Sequence, residues 1–137
     1  MADEITKVEL LGQNNDGAPI RFTCAAGTAI SQGTLMALTD PRTVAAHSTE
    51  GQPIVGVAAM DKSASDSSTS ISVWTDGIFE VKCSAGVTVG LNVIASDTAN
   101  QVIAALSGTT LASGQVVLGT ALEEATAAET INVRVKL

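Results

Sequence analysis

Apolar and polar residues alternate along this chain in short bursts. The last eight residues are the clearest case, where Ile131, Val133, Val135 and Leu137 share one face and Thr130, Asn132, Arg134 and Lys136 the other. Ile71-Ser-Val-Trp74 and Ile78-Phe-Glu-Val-Lys82 repeat the period near two, with Asp76-Gly77 between them as a turn signal. Short strands spaced about 8–12 residues apart, with Gly or Asp between, predict a sandwich or barrel. Ala121–Thr130 has a composition that suits a helix. Its counterpart Asp61–Thr69 reads as a surface loop, so a loop or single turn is expected at both places.

The pattern also repeats itself. Residues 26–46 (AGTAISQGTLMALTDPRTVAA) parallel residues 85–105 (AGVTVGLNVIASDTANQVIAA). Both open Ala-Gly, reach a Gly before an apolar strand, turn at Asp40 or Asp97, and close on Ala-Ala. Ile54–Ala59 parallels Val117–Leu122, Ile71–Trp74 parallels Ile131–Arg134, and Cys24-Ala-Ala-Gly matches Cys83-Ser-Ala-Gly. Two copies are too few for a solenoid. The expected fold is all-β, a small barrel or sandwich of two quasi-repeated units with an N-terminal arm. Residues 1–23 form the arm and 24–137 one domain, its units spanning about 24–82 and 83–137. The arm carries an apolar strand (Ile5, Val8, Leu10, Leu11) cut from the body by Gln13-Asn-Asn-Asp-Gly17. An arm outside the repeat would be separable, leaving the fold intact when removed and free to pair with a neighbour's edge.

Composition narrows the function. Hydrophobic residues make up 45% of the chain and aromatic ones only 2% (Phe22, Trp74, Phe79), so a stacking pocket for sugars or bases is not expected. The net charge is −7 and the seven Lys and Arg are scattered, which argues against nucleic acid and anionic membranes as partners. No basic-led apolar leader and no spanning apolar run are visible, and two cysteines make no disulfide framework. Synthesis in a reducing cytosol is the simplest reading.

Candidate chemistry is sparse. His47, the sole histidine, sits in Ala46-His-Ser-Thr-Glu50-Gly and reads as an exposed loop residue, without partners for zinc or a triad. Cys24 and Cys83 read as buried packing at strand ends, with a disulfide or a reactive thiol as lesser alternatives. Glu123-Glu124 and Asp61/Asp66 read as solvated carboxylates, since no calcium loop pattern occurs. Asn14-Asn15-Asp16-Gly17 is a turn, and no glycine run ends as a phosphate cradle. No catalytic residue, metal site or cofactor is expected, and the chain does not read as an enzyme.

The motif order, with Gly27, Gly33, Gly56-Val57-Ala58, Gly77, Gly86, Gly90, Gly119 and Val133–Leu137, resembles the small capsid decoration (cement) proteins of tailed bacteriophages, in particular the DUF2190 kind. The resemblance covers about residues 24–137. It implies a virion structural protein on the capsid exterior, assembled in the host cytoplasm, often a trimer that clamps neighbouring major capsid subunits. Under that reading Ile5, Val8, Leu10 and Leu11 are the candidate capsid-binding residues. Two alternatives stand beside it. One is a small-ligand or carbohydrate-binding β module on a phage or cell surface, which a pocket lined by Trp74 would favour. The other is an antifreeze-like β-clip enzyme domain, which Ala-Gly-x-x-Ile-x-x-Gly also resembles.

Overall fold

The computed structural model describes residues 4–10, 19–104 and 117–136. Among the described residues every regular element is a strand: β1 (Thr6–Leu10), β2 (Ile20–Thr23), β3 (Leu35–Asp40), β4 (Thr43–Ala46), β5 (Ile54–Ala58), β6 (Ser70–Trp74), β7 (Asp76–Cys83), β8 (Asn92–Ala95), β9 (Gln101–Ala104), β10 (Gly119–Ala121) and β11 (Thr130–Lys136). The stretch with helical composition forms no helix but the expected loop, bending at Leu122-Glu123 and turning at Ala127-Ala128, where Ala128 has φ of +71°. It leaves β10, bridges Val87 at Ala125, and enters β11 at Thr130.

The strands close into two rings. The first runs β2-β4-β3-β5-β6. The second runs β7-β11-β10-β8-β9 and is closed by a parallel β7–β9 pairing, with β1 added antiparallel to β7 beside β9. Each ring pairs its first strand antiparallel to its fifth and parallel to its third. The duplication read from the glycine pattern is therefore a duplication of topology, strand for strand.

Local bonds fix the equivalences. Cys24 N–H donates to Thr69 O and Cys83 N–H to Glu129 O, each at 2.8 Å. Gly33 and Gly90 donate to Ala58 O and Ala121 O. The isolated bridges Ile30–Lys62 and Val87–Ala125 match each other. Between cysteine and bridge the second unit is thus two residues shorter, so Ile30 corresponds to Val87 rather than to Val89. By strand pairing the first unit begins with β2 and the second with β7. The Cys-x-Ala-Gly phrase that marked residues 24 and 83 falls at the end of each unit's first strand. Asp76-Gly77 is likewise no hairpin turn, because β6 belongs to the first ring and β7 to the second.

Gly56 and Gly119 show why a glycine recurs. A Cβ on either would stand 2.0 Å from a carbonyl oxygen, Trp74 O or Arg134 O, of the strand closing the ring. Gly56 also has φ of +153°. Only a residue without Cβ lets the backbones come that close.

Two apolar clusters hold the molecule. Cys24, Ile30, Met36, Val44, Ala58, Ile71 and Val73 form a cluster within the first unit. A larger one runs from Leu35, Ala37, Val57 and Trp74 of the first unit into Phe79, Val93, Leu118 and Val133 of the second, and includes Ile5. Leu35, Met36 and Ala37 are all fully buried because β3 is covered on both sides, Met36 in the first cluster and its neighbours in the shared one. The two barrels therefore share one core.

Candidate functional site

The arm strand lies against its own chain. Ile5 is 5% exposed, donates its N–H to Gly33 O at 2.9 Å, and joins the shared core. The expectation of a separable arm is corrected here: an isoleucine in the core contributes about 1.5–3 kcal/mol, so the strand is part of the body. Thr6 and Lys7 pair with Glu80 and Phe79, Glu9 and Leu10 with Ile78 and Gly77, and the register slips between them. Val8 is the extra residue of this bulge, and its side chain is 50% exposed. Lys7 places its ammonium 5.3 Å from the centre of the Trp74 ring. β1 is a terminal strand of its sheet, so its second edge has no strand partner among the described residues. Of the candidate binding residues, Ile5 is buried, Val8 is presented outward, and Leu11 lies outside the described residues. Leu10 is placed at the edge by its backbone.

The equivalent edge on the first barrel is blunt. Thr23 N–H reaches Arg42 O, so Arg21 and Pro19, two and four residues earlier, direct their backbones to the same side. Arg42 Nη2 occupies Arg21 O at 2.8 Å, and Pro19 has no N–H to offer. Arg42 also stands over Phe22 at 5.6 Å. A strand fills this position on the second barrel, whereas side chains seal it on the first.

His47 is where expectation and structure part. It is 4% exposed and sits between the barrels, its Nε2 3.1 Å from Ser96 O. Leu35 N–H donates to Asn100 Oδ1 and Gly51 N–H to Ala95 O in the same junction. Nδ1 of His47 has no partner. Burial holds the imidazole below its ordinary value of 6.5, against smaller opposing effects of hydrogen bonds at Ser96 and Thr98. Nothing in the loop's sequence announces burial, because the covering residues arrive from the other unit.

The remaining polar groups serve architecture. Cys24 and Cys83 are free and buried, and burial with the nearby Glu129 charge pushes the Cys83 thiol up to about 11. Asp61 accepts Gln32 N–H, Asp66 accepts Ser68 N–H, and Glu123 accepts Asn132 N–H, each at 2.7–2.8 Å. Lys62 is 4% exposed and donates to Ala26 O, Thr28 O and Asp66 O, pinning the loop that precedes Ile30. Among the described residues no three His, Cys, Asp or Glu side chains gather as metal ligands. A recess of about 290 Å³ beside Trp74 is lined by Glu4, Ile5, Thr6, Lys7 and Gln32. Its tryptophan is only 8% exposed, between Lys7 and Phe79, and offers no free face for a sugar.

A tandem of two matched β barrels, welded by one core and carrying a bulged edge strand, has the form of a structural binding module. The family model for phage cement proteins matches residues 14–137, and the chain belongs to that family, a component of the virion. The crystal structure of the head fiber gp8.5 N base of bacteriophage phi29 shares the fold, at 17% identity and a TM-score of 0.55, covering 86% of this chain and 94% of that one. No curated protein sequence matches the chain.

Proposed function

We propose that the protein binds the outer surface of a phage head and stabilises it by bridging neighbouring major capsid subunits. The observation that carries this reading, given the family, is the outward edge of β1. Among the described residues it is a strand edge without a partner, fixed to the two-barrel body through the shared core. Such an edge offers unpaired backbone donors and acceptors to a shell protein's strand or loop, and pairing there needs no refolding of the body. The protein acts as a symmetric oligomer, most simply a trimer, because a three-fold assembly grips several subunits at once. Modest contacts then add up through multivalency.

Val8→Asp tests the grip. The side chain is half exposed in the isolated protein, so thermal unfolding should stay within a degree or two of wild type. Co-sedimentation with heads lacking the protein should nevertheless fall by at least about tenfold, since a carboxylate in the contact must be desolvated. Undiminished decoration by Val8→Asp would move the grip away from β1. Failure of the wild-type protein to bind any head would remove the capsid role itself.

A further inference from the structure

The first barrel leaves open a place that its twin has covered. Ile20, Phe22, Ile54, Val55 and Thr75 line an apolar recess of about 250 Å³. Strand register equates Ile20 with Phe79 and Phe22 with Val81, and Val55 precedes Gly56 as Leu118 precedes Gly119. In the second barrel these counterparts are buried, at 0%, 1% and 0% exposure. In the first, Ile20 is 43% exposed, and Phe22 and Val55 are only half-buried. The cover on the second barrel comes from the far end of the first. Trp74 meets Phe79 at 6.1 Å between ring centres, the turn at Gln32–Gly33 holds Ile5 down, and Ala59 packs against the same cluster.

That far end, on the second unit, carries two exposed apolar residues where the first has Gln32 and Ala59, while Arg134 stands in the place of Trp74. Gly90 corresponds to Gly33, so Val89 stands where Gln32 stands, and Leu122 where Ala59 stands. Val89 is 50% and Leu122 42% exposed. Exposed apolar residues are common singly, but these two flank the bond from Gly90 N–H to Ala121 O and form one tip. Glu123 and Glu124 follow directly. Glu123 is engaged with Asn132 N–H, while Glu124 is exposed. The chain therefore has an apolar tip flanked by carboxylates at one end, and an apolar recess beneath the Arg42 guanidinium at the other. In a protein of net charge −7, local pairing of opposite charges offsets the overall repulsion between two copies. Pro19 and the capped Arg21 carbonyl close the recess's edge to an incoming strand, so it takes side chains.

We propose that copies of this chain join head to tail, Val89 and Leu122 of one filling the recess at Ile20, Phe22 and Val55 of the next, with Glu124 facing Arg42. The contact uses the same two faces that meet within the chain, with Val89 and Leu122 supplying the apolar surface because Arg134 stands in the place of Trp74. It is heterologous, so its rotation either closes a ring or extends a filament. It stands independently of how the head is gripped.

Complementation tests it by sedimentation velocity, from low to high micromolar protein. Wild type should associate as concentration rises. Ile20→Asp (recess lost, tip intact) and Leu122→Asp (tip lost, recess intact) should each stay monomeric with wild-type circular dichroism. Both side chains are exposed, and Leu122→Ser serves as a milder second variant. An equimolar mixture of Ile20→Asp and Leu122→Asp has one good interface per pair, and should give a heterodimer and nothing larger. A monomeric wild type, association of either single variant, or a mixture that stays monomeric would overturn the proposal.

Discussion

His47 occupies the junction of the barrels with one ring nitrogen bonded to Ser96 and the other without a partner. Burial lowers its pKa below 6.5, so at intermediate pH the unfolded chain binds the proton more readily than the folded one. The neutral ring's contribution is therefore fully present above the unfolded value of 6.5 and is lost as pH falls through the lowered folded value. The urea midpoint should drop between about pH 7.5 and pH 5.5, and His47→Gln should flatten that slope. An unchanged slope in His47→Gln would assign the pH dependence to other groups. Glu129 is held below the ordinary value of a glutamate, because Thr126 donates its N–H at 2.6 Å and its hydroxyl at 2.8 Å to the carboxylate.

At the scale of elements, β1 combines two roles that its sequence does not separate. Thr6–Leu10 reads as a plain strand, and its spacing from the duplicated body reads as an arm. The pairing shows one end locked and the middle turned out: Ile5 inside the core, Val8 on the bulge. Ile5→Ala should cost about 2–4 kcal/mol in chemical denaturation, as a cavity in the shared core. Val8→Ala should change stability by less than about 0.5 kcal/mol. Equal costs for the two would mean that β1 does not pack as described. β2 makes the complementary case. It matches part of β7 in register, yet Pro19 and Arg42 keep its edge from taking a strand.

For the whole molecule, the order of glycines, Asp turns and apolar strands was enough to read an all-β fold with an internal duplication. Those features are local, set by ring closure at Gly56 and Gly119 and by alternation within strands. What crosses between the units was not legible. Burial of His47 depends on Ser96 from the second unit, and the docking of Ile5 depends on Gly33 and the shared core. The positions of Val89 and Leu122 at one tip became visible only with the two-residue difference between the matched loops. The candidate site was half legible: the arm could be picked out by its place outside the repeat, but not which of its side chains point outward. The most direct test of the cement role is electron cryomicroscopy of heads lacking the protein after incubation with it. Density for two-barrel units is predicted on the outer surface, each spanning more than one shell subunit with the free edge of β1 against the shell. Bare shells, or density confined within a single subunit's footprint, would contradict it.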